Sequence, residues 1–210
     1  MKKKPVIMVS STVYGIEELL EKIYAVLTAF GYEVWMSHKG TVPVSPNKTA
    51  FENCVAAVEK CDLFLGIITP IYGSGVDKTE NISITHKEIR TAIERNKPRW
   101  LLSHDHVVFA RSLLRKLGFK EQQDRDKLKL ENNKELDDLR VINMYEEAIL
   151  SAQLLAERKG NWVQKYQSDG DALLFATAQF SRFQEVEAFI EENFSKPTAV
   201  ARRLRKKASL

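Results

Sequence analysis

Cysteine, net charge and long apolar runs are all scarce in this chain of 210 residues. Its two cysteines, Cys54 and Cys61, have no histidine or cysteine partner at metal-ligand spacing. A disulfide scaffold and a zinc finger are therefore excluded, and the pair reads as buried free thiols in a reducing compartment. No apolar stretch approaches the roughly 18 residues needed to span a bilayer, so no membrane partner is expected. The opening MKKKPVIMVSST carries only a few apolar residues before Ser10, too short for a signal-peptide core. The cytoplasm is the expected compartment. The net charge of +4 is mild, and much of the excess sits in Lys2 to Lys4 and in the terminal ARRLRKKASL. No aromatic residue interleaves with those tail charges, so the stacking part of single-strand binding is missing and nucleic acid is not an expected partner. Residues 197–210 read as a basic, disordered tail. Neither G-x-G-x-x-G nor Walker-loop spacing occurs, and no Ser-His-Asp or Cys-His arrangement is legible.

What is present is an ordinary globular composition, 44% hydrophobic and 29% charged, arranged as alternating strands and helices. Val6–Ser10, Tyr32–Met36, Leu63–Ile68 and Arg99–Ser103 are short apolar runs suited to strands buried on both faces. Between them, Ile16–Phe30, Thr49–Lys60, Thr85–Asn96 and Val107–Leu117 carry apolar residues at helical spacing, with Gly31 and Gly118 as stops. Four strands alternating with four helices predict an α/β fold, a flavodoxin-like, doubly wound, mostly parallel sheet over residues 1–119. From Lys120 the composition shifts to charge-dense, glycine-free segments. Lys120–Leu139 reads as a helix. Asp138–Lys159 continues helical spacing to Gly160, as one long helix or a hairpin. GNWVQKY (Gly160–Tyr166) reads as an aromatic loop or short strand, and Ser168–Phe194 as helix broken near Ser181, where SRFQ fits a capping box. Residues 120–196 are thus expected to form a helical extension packed on the sheet domain or on a second copy, making a homo-oligomer the expected assembly.

In such a sheet the loops leaving the strands' carboxyl ends share one edge. That places Ser10, Ser11 and Thr12 beside Tyr72, Gly73 and Ser74, with the helix opening at Thr85 following. Hydroxyls and free N–H groups there suit phosphate or ribose oxygens, and glycine allows close backbone approach. Glu88 has two readings. Thr85-His86-Lys87-Glu88 fits a T-x-x-E capping box, a purely structural role. A glutamate at the ligand edge could equally stabilise an oxocarbenium ion or attack a sugar carbon. His86, two residues from Glu88 and so on another face of the helix, reads equally well as a surface histidine. His104-Asp105-His106, just past the fourth strand, could supply metal ligands or a base. Asp105 before an apolar helix is more simply an N-cap, and no metal is expected.

Three blocks, VIMVSSTVYGIEE, AFENCVAAVEKCDLFLGIITPIYGSG and SITHKEIRTAIERNKP, resemble an uncharacterised bacterial domain family, the domain of unknown function 4062. That family is grouped with TIR-like and nucleoside deoxyribosyltransferase-like folds. The match covers about Lys4 to Phe119, and DDLRVINMYEEAI and GNWVQKY are similar to C-terminal extensions of the same subfamily. The resemblance implies that Glu88 is similar to the glutamate on which TIR-type NAD glycohydrolases and deoxyribosyltransferases rely, with Thr85 matching the Thr-x-x-Glu of the latter. The Trp-Cys pair that often precedes the TIR glutamate is absent, with Ile84, Thr85 and His86 nearby instead. The implied ligand is nucleotide-like, NAD or a nucleoside as substrate, with no further cofactor and a role in signalling or defence. The alternative is a non-catalytic interaction or oligomerisation module.

Overall fold

A computed structural model describes residues 4–73, 75, 81–131, 135–160, 162–182, 185–186 and 188. Five strands form one sheet: β1 (Val6–Ser11), β2 (Glu33–Met36), β3 (Leu63–Ile68), β4 (Arg99–His104) and β5 (Val163–Tyr166). Their order is β2-β1-β3-β4-β5, and every pairing is parallel. Ile7 aligns with Val34 on one side and with Leu63 on the other. The sheet is flavodoxin-like and doubly wound, as the alternating pattern predicts.

The period of two along each strand divides the core. Ile7, Val9, Leu63, Leu65 and Ile67 pack under α1 (Glu17–Ala29) and α7 (Asp169–Phe180). Val6, Met8, Phe64 and Ile68 face the opposite layer. That layer holds α2 (Ala50–Lys60), α3 (Ile84–Glu94), α4 (Asp105–Lys116) and α6 (Arg140–Ala148). Burial on both faces explains why β1 and β3 read as unbroken apolar runs. Gly66 is the exception that packing requires. A Cβ there would lie 2.7 Å from Leu101 Cδ2 and 3.0 Å from Phe64 Cε1.

Beyond Phe119 the structure departs from the expected helices. Of Lys120–Leu139 only α5 (Gln122–Arg125) is helical among the described residues. Charge density there does not mark a solvated helix, because Arg125 is buried at 2% exposure. Its guanidinium donates to Asn143 Oδ1 at 2.6 Å, Glu146 Oε2 at 2.7 Å and the Lys120 carbonyl at 2.7 Å, which ties an irregular segment to α6. Neither long helix nor hairpin follows. α6 stops where Leu150 turns left-handed (φ 52°) and Ser151 N–H returns to the Glu146 carbonyl, a helix-ending turn. The helical spacing at Leu154 and Leu155 leaves both exposed. GNWVQKY supplies β5, the edge strand beside β4, and α7 covers the α1 face, so residues past 119 complete the same sheet. Ser181 follows α7 as its C-cap, while Gln184 of the expected capping box and the tail at 197–210 lie outside the described residues. No described helix is long and apolar enough to cross a membrane.

The Gly66 contact gives a direct check. Gly66→Val should cost about 1–3 kcal/mol by overpacking, read as a lower urea midpoint, while an unchanged midpoint would mean that β3 and β4 do not pack as described.

Candidate functional site

β1 and β3 are adjacent, but their following helices leave to opposite faces, and this strand-order reversal is where open α/β sheets hold ligands. β1 ends in Ser10 and Ser11. Ser10 lies on the α3 side, and its hydroxyl donates to Glu88 Oε2 at 2.5 Å. Ser11 points elsewhere, donating to the Ile67 and Thr12 carbonyls. Thr12 is buried against the β3 loop, where Gly73 (φ 93°) passes so close that a Cβ would meet Thr12 Oγ1 at 2.8 Å. The loops of β1 and β3 are therefore in direct contact, as expected from the sheet edge. Ser74 lies outside the described residues.

The start of α3 differs from the predicted one. The N-cap is Ser83, whose hydroxyl accepts from His86 N–H, and Thr85 is already the second helical residue, buried at 6% exposure. Glu88 then falls beyond the N3 position, so the capping-box reading is overturned. Its carboxyl is 5% exposed, and burial pushes its pKa above the ordinary carboxylate range. Hydrogen bonds from Ser10 and the Cys54 thiol pull the other way, and burial prevails. Cys54 is pushed up to about 12, first by burial and then by the charge of Glu88, so it remains a protonated donor. Glu88 is thus a buried acid held by neutral groups.

Tyr72 does not line the edge. It is 1% exposed, with its hydroxyl 2.7 Å from His86 Nδ1 and its backbone N–H donating to Asp137 Oδ1 at 2.8 Å. The Arg140 guanidinium lies 4.7 Å from its ring centroid. His86 is correspondingly not a surface residue but 2% exposed, with Nε2 3.2 Å from Glu147 Oε2. That approach is of ion-pair length without hydrogen-bond alignment, since Nε2 has no aligned partner. Burial alone would raise Glu147, yet the nearby His86 ring and the hydrogen-bonded Arg90 guanidinium hold it down to about 2. Arg90 grips it at 2.7 and 3.0 Å. This Tyr72–His86–Glu147–Arg90 chain escaped the sequence reading because Glu147 and Asp137 come from a segment read as helix. The only signal available was His86 itself, three residues after a helix-capping serine.

At β4 the N-cap of α4 is His104, not Asp105: His104 Nδ1 accepts from His106 N–H at 3.2 Å. Burial lowers His104, His106 lowers it further, and Asp105 opposes both. A cavity of about 380 Å³ lies between α3, α5 and α6, and Glu88 is not among its lining residues. Its wall includes the Arg90–Glu147 and Arg125–Glu146 ion pairs.

Fold and site together define a flavodoxin-type α/β domain with a buried carboxyl at the strand-order reversal. The chain belongs to the family described as Domain of unknown function (DUF4062), whose model matches residues 6–195, a span that takes in β5 and α7 as well as the first four strands. No curated protein matches the chain.

A fold that favours the protonated form of Glu88 and one that favours the ionised form have opposite pH signatures. Its folded pKa stands above the ordinary 4.5, so its stabilisation is full below about that pH and is lost as pH rises through the folded value. Glu88→Gln cannot ionise. It should melt level with the wild type near about pH 4 and above it near about pH 8. A variant that melts progressively lower than wild type as pH rises would show that the ionised carboxylate is stabilised instead.

Proposed function

We propose that the β1/β3 edge recognises a nucleotide or nucleoside, NAD-like in chemistry, and that Glu88 cleaves its N-glycosidic bond. The observation that carries this reading is the buried Glu88 carboxyl, whose partners Ser10 and Cys54 are both uncharged. An ionised carboxylate without a counter-cation is costly in such a place, and a sugar that becomes cationic at C1′ supplies the missing charge. In the proposed step the C1′–N bond breaks and its electron pair leaves with the base. Glu88 stabilises the oxocarbenium ion, water adds at C1′, and the carboxylate takes the proton that water loses. Ser10 orients Glu88. Thr12 and the Gly73 backbone stand where a ribose would lie, and the first turn of α3 around Thr85 offers its dipole to a phosphate. The resemblance to TIR-type and deoxyribosyltransferase-like proteins supports the same assignment for Glu88, and a role in signalling or defence would follow from it.

A second reading has its own observation. The exposed face of α4 carries Phe109, Leu113 and Leu117 at 66%, 44% and 62% exposure, one helical stripe four residues apart. In this reading Glu88 only ties β1 to α3, and the domain acts as an interaction module.

Incubation of the purified chain with NAD and a nucleoside panel separates the two. Base release should occur, and should fall by about a hundredfold or more in Glu88→Gln, as for loss of a charge-stabilising group. No release, together with no ligand-induced rise in melting temperature, would transfer the assignment to the interaction module.

A further inference from the structure

We propose that His104, Asp105 and His106 bind a divalent transition-metal ion of the zinc class at the carboxyl end of β4. The three residues each offer a ligand atom, and these atoms all lie within 4.8 Å of one another. The two imidazoles are neighbours, with ring centroids 4.6 Å apart at 80°. Tyr166 of β5, which pairs with His104 across the sheet, packs edge-on against the His104 ring at 5.2 Å and sets its orientation.

The carboxylate is the decisive atom group. Its place in the first turn of α4 suits the helix dipole, but that does not account for Asp105 Oδ1, which is buried and receives no hydrogen bond. The nearest polar atom is His104 Nδ1 at 3.3 Å. That nitrogen accepts the His106 backbone N–H with its lone pair, so it has no proton to give the carboxylate. A cation placed there would satisfy Asp105 Oδ1 and would take the His104 Nδ1 lone pair in place of the His106 N–H. Two imidazoles and one carboxylate favour zinc, nickel, copper or ferrous ions over calcium and magnesium, and three protein ligands leave a position open for water. Bonds of about 2.0–2.2 Å require the donors to draw closer, which rotation of the exposed His106 provides. The site lies on the same sheet edge as the Ser10–Glu88 pair but at the end of β4 rather than of β1, and it stands whether or not Glu88 is catalytic. The remaining histidines are committed elsewhere, His38 to Glu21 and His86 to Tyr72 and Glu147.

The test uses the full, untagged chain, stripped with a chelator and titrated with Zn²⁺ by calorimetry and with Co²⁺ by visible absorption. The wild type should take one equivalent of Zn²⁺ and develop ligand-field bands with Co²⁺. His106→Ala, at an exposed position that leaves the fold intact, should weaken Zn²⁺ by about tenfold or more and lose the bands. Asp105→Asn should weaken binding likewise, and His38→Ala should leave it unchanged. Substoichiometric binding by the wild type, or affinity indifferent to His106→Ala, or affinity lost with His38→Ala, would overturn the proposal.

Discussion

A parallel strand cannot return to its neighbour through a tight turn, so each crossover in this molecule has to lie on one face of the sheet. From β1 the chain crosses over α1 to β2, then passes back over α2 to β3 on the far side of β1. That single reversal puts α1 and α3 on opposite faces and leaves the ends of β1 and β3 side by side without a helix between them. The meeting of Ser10 with Glu88, and of Thr12 with Gly73, follows from the winding rather than from any local motif. Because the same winding buries both faces, the strands must be apolar throughout, and a polar side chain pointing into a layer from a strand end needs a partner within it. Ser10 finds one in Glu88.

Two glutamates beside α3 show how differently the protein treats buried negative charge. Glu147 is met by Arg90 and His86 and is held ionised far below its ordinary range. Among the described residues Glu88 has only a hydroxyl and a thiol as partners, and its burial raises the pKa. Removal from water penalises both, and they differ in whether cations offset the penalty. A core needing only a polar tie between β1 and α3 would be served by an amide or a second hydroxyl at no electrostatic cost. Among the described residues a carboxyl without a counter-cation stands at the strand-order reversal, and the proposed role of Glu88 rests on it.

Strands β1 and β3 and helices α1 and α2 were legible because composition and period agree there. Leu63–Ile68 is apolar on both faces, and α2 starts at its expected place, where Thr49 forms a capping box with Glu52. The start of α3 was misread because Ser83 and Thr85 are equally good caps by type, and only the backbone reveals that Ser83 holds the cap. Lys120–Leu139 was misread for a deeper reason. Helical propensity counts Arg125 as a solvated charge, whereas three acceptors that converge on it from distant positions bury it. β5 was half legible, since VQKY alternates weakly and an edge strand carries little apolar signal. Of the candidate site, the nearness of Ser10, Thr12 and Gly73 followed from the expected sheet edge, but the burial of Tyr72 did not, because its partners are 14 and 65 residues away.

Those partners show what residues 135–150 contribute to the site. Asp137 accepts the Tyr72 backbone N–H, Arg140 lies over the Tyr72 ring and donates to the Asn81 carbonyl, and Glu147 meets His86. All three grip the connection between β3 and α3 from outside, at its first residues, at its last and in the first turn of the helix. A connection of that length would otherwise cost conformational entropy each time it ordered around a ligand. Anchored at both ends, Gly73 stays pressed against Thr12 and α3 keeps Glu88 on Ser10 before any ligand arrives. The segment after α4 therefore bears on the site without touching it, through the ion pairs and ring contacts that hold the β3–α3 connection in place.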